Sequence, residues 1–134
     1  MFVDAAAIIA ILSEEEEAER CSQAIQAASE RLTSPIAVWE AVVALARSDK
    51  FDVAVERAAL IVSAFLEQRQ IAVRDLPEAP VALALSLEAA QRFRAGQGRL
   101  NLADCFHYAC ARHYGVPILS TAGEFRLTDL TTIP

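Results

Sequence analysis

Eight uninterrupted apolar residues, Ala5–Leu12, follow an acid, Asp4, which itself follows the apolar pair Phe2-Val3. Two apolar residues ending in a carboxylate and running straight into a buried helix match the way open α/β sheets build sites beyond the carboxyl ends of their strands. The same Asp4 reads equally well as the helix N-cap, since Asp is a favoured cap. Other carboxylates along the chain have to separate the two readings.

The pattern continues as helices alternating with short apolar strands. Ser13 reads as an N-cap with Glu14–Glu17 in an acid-rich first turn, leading a helix to about Ala28 with Ala18, Cys21, Ile25 and Ala28 on one face. Leu32-Thr33-Ser34 predicts a second strand, and Pro35 opens a helix to about Arg47 with Ser34 as its cap. Asp49–Phe51 predicts a turn, Asp52 to about Arg69 a helix, and Ile71–Val73 a third strand. A helix from Val81 to about Arg94 is broken by Ala95–Gly98, whose two glycines disfavour regular structure. Leu102 to about Tyr114 predicts a further helix stopped by Gly115, then Pro117–Ser120 a fourth strand and Leu127–Ile133 a marginal fifth. This alternation predicts an α/β fold: one domain over residues 1–134, a three-layer sandwich with a short, mostly parallel sheet of four or five strands between helices.

Composition narrows the partners. No apolar run approaches the roughly 18 residues that span a bilayer, and the first apolar stretch lacks the flanks of a signal peptide, so a cytoplasmic location is expected. The net charge of −6 is uneven: residues 1–90 carry 7 basic and 15 acidic side chains, residues 91–134 carry 5 and 3. An acidic site can stand beside a basic rim that attracts phosphate, so the net charge does not exclude RNA. Cys105, His107, Cys110 and His113 sit at helical offsets that point in different directions, which favours buried thiols over a zinc site.

Glu40 lies in the middle of an apolar helix, where an acid either faces water or has a purpose. Asp104 stands at the start of the helix that precedes the fourth strand, and Glu124 follows that strand. In a doubly wound sheet such positions converge on one crevice. Carboxylates brought together repel, and a hard divalent cation with a preference for oxygen ligands removes the conflict. Such a site suits phosphodiester hydrolysis by water, without a covalent nucleophile.

Phe2-Val3-Asp4-Ala5, Ser34-Pro35-Ile36-Ala37-Val38-Trp39-Glu40, Leu100-Asn101-Leu102-Ala103-Asp104-Cys105-Phe106 and Glu124-Phe125-Arg126-Leu127-Thr128-Asp129-Leu130 together resemble the PIN-domain ribonucleases, in order and across essentially the whole chain. The likeness is greatest to the VapC toxins of bacterial toxin–antitoxin pairs. The resemblance implies a Mg²⁺- or Mn²⁺-dependent endoribonuclease, neutralised by a VapB-type antitoxin and assembled as a homodimer, a heterotetramer or larger. It implies that Asp4, Glu40 and Asp104 bind metal and that Glu124 completes the catalytic acids. Three departures stand out. Ala6 replaces the usual Ser or Thr, Ala103 a common Gly, and Ala122-Gly123-Glu124-Phe125 the usual Gly-Asp-Asp-Phe or Gly-Asn-Asp-Phe.

Arg92, Arg94 and Arg99 flank the glycine-broken loop and are candidates to track an RNA backbone, with Arg112 and Arg126 beyond them. Trp39 is expected in the core, and His107 has no evident acid partner along the sequence. A haloacid-dehalogenase-type phosphatase needs a second Asp where Ala6 stands. A phosphate-receiver domain needs a late Lys, whereas the only Lys is Lys50. The remaining alternative is a PIN-fold protein with a weakened site that binds an antitoxin or RNA without cutting.

Overall fold

The computed structural model describes residues 1–94 and 99–133; the predicted break at Ala95–Gly98 lies outside the described residues. In chain order the elements are β1 (Phe2–Val3), α1 (Ala5–Leu12), α2 (Ala18–Ala27), β2 (Leu32–Thr33), α3 (Pro35–Ala46), α4 (Val55–Gln68), β3 (Ala72–Val73), α5 (Ala79–Phe93), α6 (Leu102–Tyr114), β4 (Ile118–Leu119), a 3₁₀ turn over Gly123–Leu127, and β5 (Thr132–Ile133). The five strands form one sheet in the order β3-β2-β1-β4-β5, and every pairing is parallel. β1, β2 and β4 are buried throughout, as expected of parallel strands covered by helices on both faces. β3, at the edge, is exposed.

The core gathers Phe2, Val3, Ile118 and Leu119 from the central strands with Ile8, Ile25, Leu45, Val62 and Tyr108 from the helices. Each large apolar side chain buried in this way contributes about 1.5–3 kcal/mol. Cys21, Cys105 and Cys110 are buried free thiols, as the sequence predicts.

Several boundaries are set by local chemistry. Ser34 accepts a hydrogen bond from the Ala37 amide (3.2 Å) and Pro35 takes the first helical position of α3. Gly115 caps α6 in the left-handed region at φ 65°, a conformation that favours glycine. Three helix starts differ from the sequence reading, the simplest being α5, which begins at Ala79 rather than Val81 with Pro80 in its first turn. Ser13–Glu17 is not the first turn of α2: Glu14 takes φ 54°, which interrupts a helix, and Glu15 instead pairs with Lys50. Asp52 likewise takes φ 50°, so α4 begins three residues later than predicted, at Val55.

Candidate active site

The strand order reverses direction between β1 and β4, and at that point the carboxyl ends of both strands open a crevice. Asp4 leaves β1 there and Ser120 leaves β4. The Asp4 side chain makes no capping hydrogen bond to α1. Its Oδ2 accepts from the Ser120 hydroxyl at 2.7 Å, and the Asp4 amide donates to the Leu119 carbonyl at 3.0 Å. Asp4 is 3% exposed. The carboxylate is thus committed to the crevice rather than to the cap of α1. Thr33, at the end of β2, donates to the Val3 carbonyl (2.8 Å) and fixes the strand end from the other side.

The second oxygen of Asp4 faces His107, whose Nε2 lies 3.4 Å from Oδ1 and 2.6 Å from Glu40 Oε2. His107 is fully buried, tilted against the Phe2 ring, with its other nitrogen, Nδ1, unpartnered. Glu40 thus does not point to bulk water: α3 aims it across the crevice to α6. His107, for which the sequence shows no acid partner, has two. Burial pulls the imidazole pKa down, but the hydrogen bond to Glu40 and the charges of Asp4, Glu40 and Asp104 outweigh it and hold it above the ordinary histidine value.

Asp104 is fixed by a reciprocal capping box. The Asn101 side chain accepts from the Asp104 amide (3.0 Å), and Asp104 Oδ2 accepts from the Asn101 amide (2.7 Å). Burial raises the Asp104 carboxyl pKa, the Asn101 amide opposes this, and the charges of Asp4 and Glu124 add to it. Glu124 sits in the 3₁₀ turn after β4, and its Oε2 is buried with no hydrogen-bond partner. Asp4, Glu40, Asn101 and Asp104 line one cleft of about 360 Å³, walled by Ala6, Ile9, Trp39, Val43 and Ala44.

These residues fit a divalent cation. Asp4, Glu40 and His107 each offer a ligand atom, all within 4.8 Å of one another. Ligands about 2.1 Å from one ion stand roughly 3–4 Å apart, so the 3.4 Å between Asp4 and His107 already fits and the 2.6 Å contact between His107 and Glu40 needs only to open slightly. Asp104 lines the same cleft, and Glu124 stands near enough for its charge to act on Asp104.

The sequence matches the PIN domain family model over residues 1–128. The chain belongs to the PIN domain family. Among curated relatives, Ribonuclease VapC30 of Mycobacterium tuberculosis is 33% identical over 99% of this chain and 98% of its own. VapC ribonuclease R02377 of Rhizobium meliloti is 32% identical over 96% and 98%. Among solved structures, Mycobacterium tuberculosis VapC20, described as a Sarcin-Ricin loop cleaving toxin, superposes with a TM-score of 0.72 over 97% of this chain and 95% of that one; at 17% identity it is similar in fold. The VapC likeness and the α/β PIN fold expected of the sequence are therefore both present.

Within this PIN domain the hydroxyl absent at Ala6 is not missing from the site, because Ser120 supplies one to Asp4 from β4. Gly123 is exposed, and open space surrounds the position of a Cβ there. Of the arginines, Arg92 is engaged by Glu88 (2.7 Å) and Asp129 (2.9 Å), and Arg112 lies 3.6 Å from Asp129. Asp129 also accepts from the Tyr108 hydroxyl at 2.9 Å, so this cluster ties α5 and α6 to the last loop. Arg94 and Arg99 are exposed on either side of residues 95–98. Trp39, expected in the core, is 65% exposed at the mouth of the cleft. Three participants escaped the sequence reading: His107, Asn101 and Ser120. For His107 a signal existed, since it stands three residues after Asp104 and so on the same helical face.

Proposed function

We propose that this PIN domain is a divalent-metal-dependent endoribonuclease of the VapC toxin type, cutting cellular RNA by water attack on a phosphodiester and held inactive by a VapB-type antitoxin. The observation that carries the reading is the meeting of Asp4, Glu40 and Asp104 in one cleft at the switch point of a parallel sheet. The names of the curated relatives, VapC ribonucleases, supply the substrate class.

Asp4, Glu40 and Asp104 would hold Mg²⁺ or Mn²⁺, an ion that lowers the pKa of a bound water and offsets charge on a phosphate. The chain's own residues do the positioning. Ser120 turns Asp4 so that Oδ1 faces the cleft, His107 holds the Glu40 carboxylate, and the Asn101 box holds Asp104. Glu124, with one oxygen uncommitted, orients the attacking water and accepts its proton. A thiolate nucleophile has no support: burial pushes the Cys110 thiol up to about 11 and raises that of Cys105. Arg94 and Arg99, both exposed, supply cations for the RNA backbone. Among the described residues no helix is long and apolar enough to cross a membrane. The VapC reading brings with it a homodimer, a larger assembly with antitoxin, and work in the bacterial cytoplasm.

The test is RNA cleavage by purified protein freed of any partner, with and without divalent metal. Cleavage should require metal and should fall on the order of 100-fold or more in Asp4→Asn and Asp104→Asn, the scale of removing a positioned acid or base. Cleavage that survives both substitutions refutes the site. No cleavage by any preparation of the parent chain favours a PIN-fold binding module instead.

A further inference from the structure

His107 makes no hydrogen bond beyond the carboxylates of the cleft itself. It is fully buried, its Nδ1 has no partner, and its only polar engagements, through Nε2, are with Glu40 at 2.6 Å and Asp4 at 3.4 Å. An apolar residue of similar size would satisfy the Phe2 packing without burying a polar ring. The ring is instead aimed at the point where the two carboxylates meet, and its Nε2 falls within the same 4.8 Å cluster of ligand atoms.

We propose that His107 Nε2 is a direct metal ligand, so that Asp4, Glu40 and His107 form a mixed nitrogen–oxygen site selective for first-row transition ions over Mg²⁺. The inference rests on the metal-dependent reading of the same cleft and specifies which ion it takes. Mg²⁺ demands oxygen ligands and dehydrates reluctantly, whereas imidazole suits Zn²⁺, Co²⁺, Fe²⁺ and, less strongly, Mn²⁺. Two carboxylates and one imidazole match the three-ligand pattern of catalytic transition-metal sites, which leave further positions open. Coordination releases the Nε2 proton to solvent and replaces its hydrogen bond to Glu40 with two bonds to a shared ion. It also leaves the ring proton on Nδ1, where no acceptor lies among the described residues. That lowers the affinity for a nitrogen-ligated ion without removing the preference that the imidazole ligand sets.

The experiment uses the full chain, made metal-free and then loaded with Mn²⁺ for pulsed electron paramagnetic resonance. An imidazole-type nitrogen coupling is expected in the parent protein and in His113→Gln, which alters the only other histidine, an exposed one. The coupling should vanish in His107→Gln. In parallel, calorimetric titration with Co²⁺ and Mg²⁺ should show the Co²⁺ preference falling roughly 10-fold or more in His107→Gln, while Mg²⁺ affinity changes little. Absence of nitrogen coupling in the folded parent protein overturns the inference even if RNA is cut with Mg²⁺. A nitrogen-ligated ion in a protein that cuts no RNA leaves the inference standing and removes the nuclease reading.

Discussion

Ser120→Ala isolates the bond that sets Asp4. The substitution removes an O–H···O⁻ hydrogen bond of 2.7 Å to a carboxylate that is 3% exposed. Hydrogen bonds to charged groups contribute about 1.5–3 kcal/mol, and the stranded carboxylate oxygen has little water to turn to. The Ala122 amide loses its 3.1 Å bond to the same hydroxyl, worth about 0.5–1.5 kcal/mol in a partly buried place. Together these amount to roughly 2–4 kcal/mol, or about 7–14 °C in Tm for a domain of this size. Urea denaturation of the metal-free protein measures it directly. Ser120→Thr, which keeps a hydroxyl, should recover most of the loss. In an Asp4→Asn background the cost of Ser120→Ala should fall by about half, because charge-assisted bonds are roughly twice as strong as neutral ones. A loss below about 0.5 kcal/mol in the parent background, or an unchanged cost in the Asp4→Asn background, would refute the reasoning.

Acidity supplies a second expectation. The folded-state pKa values of His107 and Asp104 are both raised, so the metal-free native state binds more protons than the unfolded chain. Their contribution is present below the unfolded values, roughly 6.5 and 3.9, and is lost as pH rises through the folded ones. Urea midpoints in chelator should therefore drop as pH rises above about 6.5, and His107→Gln should flatten that part of the curve; a midpoint that rises over this range contradicts the assignment. Asn101→Ala removes the side-chain half of the capping box, leaves the backbone amide of residue 101 bound to Asp104, and should destabilise by about 0.5–2 kcal/mol, read as a lower urea midpoint. RNA cleavage should fall no further than the lost folded fraction explains, because the residue-101 amide still holds the Asp104 carboxylate; a larger fall would show that the Asn101 side chain, which lines the cleft, acts in the site itself.

Much of this architecture was legible from the chain. Asp4, Glu40 and Asp104 could be singled out because each is an acid in or beside an apolar stretch, the first after a strand and the others within helices, and the short apolar runs located every strand of the described sheet. The helix from Leu102 to about Tyr114 was legible because Asp104 in its first turn and Gly115 at its end are local signals with local causes, whereas the Asn101 cap went unread. The start of α2 was misplaced because a Glu run favours a first helical turn, whereas the tight exit from α1 forces Glu14 into a left-handed conformation that composition does not reveal. Ser120 and His107 were missed for a different reason. Their roles depend on partners 116 and 67 residues away, and only the pairing of β1 with β4 and the packing of α3 with α6 bring them together. Trp39 was assigned to the core on its hydrophobicity, although large aromatics also stand exposed where a surface is used.

That exposed indole has a practical consequence. Trp39 is the only tryptophan in the chain, and it lines both the acidic cleft and an adjoining apolar groove of about 420 Å³ formed with Ile36, Leu102 and Phe106. The native ultraviolet emission of the protein therefore comes from the threshold of the site. Whatever crosses that threshold, an ion drawing Glu40 inward, a nucleotide chain, an antitoxin segment or a second protomer, alters the light of a single chromophore, and the molecule carries its own label.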